Sequence, residues 1–271
     1  MTSGISTITA QELPTQSDDC DEVGQTVMLR DGMDASVIVS ADTTQKGAST
    51  ITIVGAHNAA AIYLGSGNDT VTVGDARESV YGGSGNDTII VDAKTITAQI
   101  NGGGGTNTLN VTGGGLVFMG GSLTNIQKVI LSPAISAYNF TADGLNGLQL
   151  TDDRAGADKL TAGGAGQTFT GGGQGTVFVG ANAGADTFVD TAALFNGDTV
   201  QNFQALHDII DITDIANAGV SLRFKASGAG GVLTVSGGGH ATAITLTGAF
   251  SASGFTHVSD GHHGVAISYS G

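Results

Sequence analysis

Short apolar pairs separated by turn residues recur along the first part of the chain. The leading apolar residue of each pair falls at intervals of nine, at Ile53, Ile62, Val71, Val80, Ile89 and Ala98. A second apolar residue often follows two positions later, as Val73 follows Val71, and this spacing places both side chains on one face of a strand. Turn segments rich in Gly, Asn and Asp separate the pairs. Each unit of nine therefore predicts one short strand and one tight turn, and two units predict one coil of a flattened solenoid.

A second block repeats the pattern with larger apolar residues. Its leading residues are Leu160, Phe169, Phe178 and Phe188, at intervals of 9, 9 and 10. These side chains predict a wider core than the Ile and Val residues of the first block. Helix signals are scarce, and the segment 201–219 is the one that favours a short helix. Further strands are predicted at 25–29, 221–225, 232–235, 242–247 and 255–258.

The fold class that follows is all-β. We expect a right-handed parallel β-roll or β-helix solenoid with a C-terminal β-rich segment that caps it. The predicted parts are an acidic N-terminal segment at 1–24, the solenoid at 25–195 and the C-terminal cap at 196–271.

Composition narrows the possible functions. The 45 Gly residues suit a turn every nine residues, but only 2 Pro are present, which excludes collagen. A net charge of −15 with 9 Lys and Arg excludes a nucleic-acid binder. One Cys excludes a disulfide scaffold. No apolar run approaches the ~20 residues of a membrane span, and no basic, then apolar leader of the Sec type precedes the first strand.

Two turns carry a metal-binding pattern. Residues 82–90, GGSGNDTII, match the nonapeptide G-G-x-G-x-D-x-U-x at every fixed position, and residues 64–72, LGSGNDTVT, match all but the first. Because they lie 18 residues apart, one predicted coil, Asp69 and Asp87 are expected to face the same gap. Ca²⁺ prefers about six to eight oxygen ligands, which two carboxylates and the carbonyls of Gly-rich turns can supply. The alternative is ordinary Asn-Asp-Gly turn chemistry without a metal.

The turn at 102–110, GGGGTNTLN, is a weaker match in which Asn107 stands near the place of Asp, as a neutral ligand for the next site. The second block keeps only parts of the pattern around Asp158, Gln167 and Asp186, so we expect it to hold little or no calcium. Asp75 and Asp92 fall on the opposite edge as solvated turn residues. The candidate calcium ligands are Gly65, Gly67, Asn68, Asp69, Gly83, Gly85, Asn86, Asp87, Gly103, Gly105 and Asn107.

These nonapeptides resemble those of the RTX family of calcium-binding β-roll proteins secreted by Gram-negative bacteria. The segments 197–203 and 207–212 are similar to the part that closes many such β-rolls, and 259–271 is similar to the end of type I exported proteins. The resemblance implies a calcium-folded, secreted or cell-surface protein. It also implies that the type I secretion apparatus is a partner and that 196–271 contains the export signal.

No catalytic pattern accompanies these repeats. The sequence contains neither HExxH nor GxSxG, so we expect no enzyme, and His257, His262 and His263 are taken as loop residues. Our first hypothesis is a structural protein that assembles with itself as a surface layer, filament or biofilm component, with cell-surface polysaccharide as a further partner. The second is an adhesin or an ice- or polymer-binding module that uses an outward row of Thr52, Thr70 and Thr88. A polysaccharide-active β-helix enzyme is the least favoured, because the arginines are far apart.

Overall fold

The fold is a β-solenoid, given by a computed structural model that describes residues 18–20, 28–29, 38–41, 50–53, 61–73, 79–92, 99–113, 123–134, 137–142 and 145–271. Regular structure in these residues is nearly all β-strand, which confirms the predicted class. The chain divides into two compact units, Met1–Ser132 and Pro133–Gly271. The predictions for Asp75 and Ala98 lie outside the described residues.

The first unit is built from two parallel sheets whose strands alternate along the chain. The sheet orders are β1-β3-β5-β7-β9-β11 and β2-β4-β6-β8-β10-β12, so each strand pairs with the next but one and each coil contributes one strand to each sheet. The strands are β1 (Asp18–Cys20), β2 (Met28–Leu29), β3 (Ile38–Ala41), β4 (Thr50–Ile53), β5 (Ala61–Tyr63), β6 (Thr70–Val73), β7 (Ser79–Tyr81), β8 (Thr88–Asp92), β9 (Ile100–Asn101), β10 (Thr108–Thr112), β11 (Leu123–Thr124) and β12 (Lys128–Leu131).

Strand register confirms the nine-residue period in its central part. Ile62 pairs with Val80 and Val71 pairs with Ile89, and all four side chains are fully buried. The period is wrong at both ends. Val71 lies opposite Ile51 rather than Ile53, and Val80 lies opposite Ile100 rather than Ala98. The coils that join these pairs therefore have 20 residues instead of 18.

The predicted row of threonines is shifted in the same way. Thr70 pairs with Thr88, and Thr88 pairs with Thr108, but the partner of Thr70 in the preceding coil is Thr50. Thr52 lies opposite Thr72, so the prediction that Thr52 belongs to this row is wrong. Thr70, Thr88 and Thr108 are half-buried rather than fully outward.

The second unit begins as the same kind of solenoid and ends in antiparallel strands. Its sheet orders are β14-β16-β18-β20-β25-β24 and β13-β15-β17-β19-β23-β22-β21. The strands are β13 (Asn139–Ala142), β14 (Gln149–Asp152), β15 (Lys159–Ala162), β16 (Thr168–Thr170), β17 (Val177–Val179), β18 (Thr187–Asp190), β19 (Thr199–Gln201), β20 (Ile209–Ile212), β21 (Ser221–Ser227), β22 (Gly230–Gly237), β23 (His240–Thr247), β24 (Phe255–Ser259) and β25 (Val265–Tyr269).

A column of aromatic rings fills the core of this unit, as the second block predicted. Leu160 pairs with Phe178 and Phe169 pairs with Phe188, and all four are fully buried. The rings of Phe169 and Phe188 stack with centroids 5.6 Å apart and planes within 8°. Aromatic rings bury a large apolar area and so contribute strongly to hydrophobic stabilisation. Because each coil contacts only its neighbours, these ring contacts also join successive coils.

Helical structure falls elsewhere than predicted. The segment 201–219 contains β20, in which Ile210 and Ile212 alternate inward, and no helix. A single-turn helix, α1 (Ala192–Phe195), precedes it, and the Thr191 hydroxyl caps α1 by accepting a hydrogen bond from the Leu194 N–H at 3.3 Å. Strands β21, β22 and β23 pair antiparallel, as do β24 and β25, so the C-terminal segment is β-rich, and its role as a cap stays a prediction. Within the described part of the chain, no helix is long and apolar enough to cross a membrane.

Candidate metal site

Three turns of the first unit stack on one edge of the solenoid, at 64–69, 82–87 and 102–107. Asp69 immediately precedes β6 and Asp87 immediately precedes β8, so strand pairing brings the two residues into adjacent coils. The backbone N–H of Asp69 donates to Oδ1 of Asp87 at 2.9 Å. Ser66 and Ser84 add a parallel bridge between the turns. The predicted stacking of the two motif turns is therefore confirmed.

The side-chain oxygen of the residue at the end of each turn accepts a hydrogen bond from the backbone N–H of the equivalent residue in the preceding coil. The Asp87 N–H donates to Oδ1 of Asn107 at 2.9 Å, and the Asn107 N–H donates to Oε1 of Gln127 at 2.7 Å. Asp69, Asp87 and Asn107 are each at most 1% exposed. We call this row of Asp69, Asp87, Asn107 and Gln127 the inner ladder.

A second ladder runs along the outside of the same turns. Oδ1 of Asn68 accepts the Asn86 N–H at 2.8 Å, and Oδ1 of Asn86 accepts the Thr106 N–H at 2.7 Å. Asn68 and Asn86 are exposed. Their side-chain oxygens therefore fasten neighbouring coils through backbone N–H groups, at the surface and away from the buried carboxylates.

Glycines make the close stacking of these turns possible. Gly83 and Gly85 have φ values of +86° and +134°, a region that side chains disfavour. A Cβ at Gly83 would collide with the carbonyl oxygen of Gly65, and one at Gly85 with that of Gly67. The next turn repeats the arrangement at Gly103 and Gly105, which lie against the carbonyls of Gly83 and Gly85. The candidate glycines thus lie where carbonyl oxygens of successive coils crowd together.

The space beside Asp87 fits a hard cation. Oδ2 of Asp87 is buried without a hydrogen-bond partner. A Cβ at Gly82 would collide with both this oxygen and the carbonyl oxygen of Gly102. The two oxygens therefore border the same small space beside Gly82. Carboxylate and carbonyl oxygens are the ligands that Ca²⁺ prefers. Burial raises the pKa of Asp87 to about 6, and the negative charge of Asp69 adds to the effect, although the Asp69 N–H opposes it.

The third turn has different chemistry at the equivalent position. Nδ2 of Asn107 donates to the carbonyl oxygens of Asn125 at 3.0 Å and Gly104 at 3.2 Å. Its Oδ1 accepts the Asp87 N–H. Both ends of this buried amide are therefore hydrogen-bonded within the protein.

In the second unit, the turns that precede β18 and β20 carry an acidic pair that the sequence pattern did not predict. The Asp186 N–H donates to Oδ1 of Asp208 at 2.9 Å, just as Asp69 does to Asp87. An 18-residue coil does not predict this pair, because 22 residues separate Asp186 from Asp208. The signal was nevertheless present, since Asp208 stands two residues before the buried Ile210, as Asp69 stands before Val71.

Backbone donors satisfy the carboxylates of this second pair. Oδ2 of Asp186 accepts the Ala181 N–H at 2.6 Å, and Oδ2 of Asp208 accepts the Gln204 N–H at 2.8 Å. Each carboxylate therefore accepts hydrogen bonds at both oxygens, unlike that of Asp87.

The opposite edge of the second unit buries further acids. Nη1 of Arg154 lies 2.9 Å from Oδ2 of Asp158, whose other oxygen accepts the Tyr138 N–H. Burial, with a hydrogen bond to Asp158, raises the pKa of the neighbouring Asp152 well above its usual value. Asp190 and Asp198 flank the turn that contains α1, and burial raises the pKa of each to about 7.

The C-terminal histidines do not form a cluster. Nδ1 of His257 is 2.7 Å from Oδ1 of Asn217, while His262 and His263 are exposed. In the residues that the structure describes, no three His, Cys, Asp or Glu side chains gather as a metal site. A metal at Asp69 and Asp87 must therefore draw the rest of its ligands from backbone carbonyls or water.

A comparison with protein families agrees with this geometry. The model described as Peptidase M10 serralysin C terminal matches residues 64–246, about two thirds of the chain. The match includes both motif turns, the aromatic column and the strands up to β23. No curated protein and no solved structure shows significant similarity to the chain.

Proposed function

Because the chain belongs to the serralysin C-terminal family of RTX-type calcium-binding β-rolls, we propose that calcium bound between Asp87 and the Gly102 carbonyl, in the stack that contains the motif turns 64–69 and 82–87, completes the folding of its first unit. In serralysin-type proteins this domain is the non-catalytic β-roll of secreted enzymes. The observation that supports the proposal is the buried Oδ2 of Asp87, which shares a small space with the Gly102 carbonyl and has no hydrogen-bond donor.

The residues of the site each have a part in this function. Asp69 and Asp87 supply negative charge, the backbone carbonyls supply neutral oxygens, and Gly82 leaves the space that a side chain would fill. The bound ion would neutralise the two carboxylates, which lie in adjacent coils and repel each other. Extracellular calcium modules bind with dissociation constants of about 10⁻⁴–10⁻³ M, so the site would be empty at the far lower calcium concentration of the cytosol. Such a chain stays loosely folded before type I export and folds outside.

We further propose that the exported protein assembles with copies of itself, at the cell surface or in extracellular matrix. The two sheets of the second unit end at β21 and β24, and each of these strands pairs on one side only within the described residues. Unpaired strand edges are templates for another chain. β21 exposes Arg223 and Lys225, and β24 carries Val258 at 63% exposure.

The positive charge of β21 suits a contact with a second copy, although two chains of net charge −15 repel each other overall. The chain has a net charge of −15 and only 9 Lys and Arg residues, so a strand edge with two cations attracts the predominantly acidic surface of another copy. Backbone hydrogen bonds along β21 would hold the second copy, and ion pairs with Arg223 and Lys225 would determine its orientation.

Light scattering coupled to size-exclusion chromatography tests both parts of the proposal. Millimolar calcium should convert the protein from an expanded monomer in EGTA to a compact species that assembles as concentration rises. The double variant R223E/K225E should fold with calcium and stay monomeric, whereas K159E, which reverses an exposed charge in another strand, should assemble normally. A compact wild type that is monomeric at every concentration would refute assembly and leave calcium folding intact. Identical profiles in EGTA and calcium would refute the calcium site.

A further inference from the structure

We infer that the side-chain amide of Asn107 takes over the role of a calcium ion in the third turn, and so sets where the row of calcium sites ends. This inference rests on the proposed calcium function of the two preceding turns. It revises the sequence prediction that Asn107 acts as a neutral calcium ligand. It also gives the Gly104 carbonyl a donor within the protein, so the turn that contains Gly103 and Gly105 offers one oxygen fewer to an ion.

The positions of Asp87 and Asn107 are equivalent in successive coils. A Cβ at Gly82 would contact Oδ2 of Asp87 at 2.5 Å, and a Cβ at Gly102 would contact Nδ2 of Asn107 at 2.5 Å. Each of these glycines also faces a carbonyl oxygen of the next coil, that of Gly102 in the first case and that of Asn125 in the second. The side-chain atom that faces this carbonyl differs between the two sites. It is a carboxylate oxygen at Asp87 and an amide nitrogen at Asn107.

That single atom reverses the electrostatics of the turn. An oxygen beside a carbonyl oxygen is repelled unless a cation or a proton lies between them. The amide nitrogen of Asn107 instead donates to the carbonyls of Asn125 and Gly104, at 3.0 and 3.2 Å. A neutral donor thus contributes the attraction that an ion would contribute in the preceding coil.

The orientation of the amide follows from its neighbours. Oδ1 must face the Asp87 N–H, which is a donor, and Nδ2 must face two carbonyls, which are acceptors. A flipped amide would set donor against donor and acceptor against acceptor at all three contacts. Asn107 is fully buried, so water cannot repair such a mismatch.

The variant Asn107→Asp tests the inference, because it should recreate the chemistry of Asp87 one coil further on. Its Oδ1 can still accept the Asp87 N–H, while Oδ2 would oppose the carbonyls of Asn125 and Gly104. Equilibrium dialysis against calcium alone should show one additional bound ion per chain. Thermal melting should show a midpoint several degrees below wild type in EGTA, and recovery to the wild-type midpoint or above in millimolar calcium.

Two controls separate this effect from added charge and from lost packing. Asn146→Asp adds the same charge at an exposed turn and should change neither the number of ions nor the response to calcium. Asn107→Ala removes the donor without adding a ligand, so its midpoint should lie below that of wild type by the same margin in EGTA and in calcium. If wild type binds calcium and Asn107→Asp binds no more, the inference is wrong and the proposed function survives. If wild type binds no calcium, the proposed function itself fails.

Discussion

The backbone N–H of Asp69 donates to the carboxylate of Asp87, 18 residues further along the chain, at 2.9 Å. This bond fixes one oxygen of Asp87 and leaves the other buried without a partner. Adjacent coils are thereby joined at a point where negative charge accumulates. Neutralising this charge should stabilise the contact, and the calcium ion that we propose would thereby link the formation of one coil to the next.

Replacing Asp87 by Asn should remove most of the stabilisation by calcium. At 10 mM calcium, one site with a dissociation constant of about 10⁻⁴–10⁻³ M adds about 1.4–2.7 kcal/mol to the free energy of unfolding. We expect Asp87→Asn to lose that increment in urea denaturation while its stability in EGTA stays equal to or above that of wild type. Asp153→Asn, at an exposed acid of the second unit, is the matched control and should keep the full calcium response. An unchanged response in Asp87→Asn would place the ion elsewhere.

The space at Gly82 gives a steric test of the same site. Its Cβ would collide with Asp87 Oδ2 and the Gly102 carbonyl, so Gly82→Ala should lower stability by about 1–3 kcal/mol and weaken calcium binding. Gly104 stands in the next turn, where an added Cβ would meet ordinary contacts at 3.8 Å and beyond. Gly104→Ala should therefore behave like wild type in both denaturation and calcium titration. Equal losses in the two variants would mean that backbone freedom, rather than the space at Gly82, matters here.

The sequence predicted the stack of Asp69 and Asp87 because a strictly spaced motif fixes their register. Where each coil has 18 residues, residues 18 apart in the sequence lie side by side in adjacent coils, and Val71 and Ile89 pair as expected. Extra residues in a coil shift the strand pairing, and the pattern of apolar residues does not reveal this shift. The 22-residue coil between Asp186 and Asp208 therefore went unrecognised, and so did the Val80–Ile100 pair.

The spacing of residues in the sequence could not predict which partners the buried polar side chains bind. Arg154 and Asp158 are four residues apart in a turn, and nothing in their identities shows that the guanidinium is aimed at the buried carboxylate. The amide of Asn107 is a similar case, since an Asn side chain can present either an oxygen or a nitrogen. Only the positions of the Gly104 and Asn125 carbonyls determine which atom faces them.

Stability in EGTA should fall as pH rises from about 4 to 8. Burial raises the pKa of Asp190 and Asp198 to about 7 each, so the folded protein binds these protons more tightly than the unfolded chain does. A raised carboxyl pKa contributes stability that is complete below the ordinary value and lost as pH passes through the raised one, by at most a few kcal/mol. Urea denaturation at pH 5 and pH 8 measures the difference. The variant D190N/D198N should show a smaller decrease, and stability that rises with pH in wild-type protein would contradict the argument.

Arg154 should stabilise the second unit whether or not calcium is present. Its guanidinium lies 2.9 Å from the fully buried carboxylate of Asp158, so Arg154→Met leaves that charge without its counter-ion. Loss of one partner of a buried pair costs about 3–5 kcal/mol, and the 16% exposure of the Arg154 side chain places this case at or below the lower end. Asp158→Asn in the same chain removes the isolated charge and should restore much of the loss. A double-mutant cycle in EGTA and in 10 mM calcium should give the same coupling energy, of about 1–3 kcal/mol. A coupling that disappears when calcium is added would show instead that an ion competes with Arg154 for Asp158.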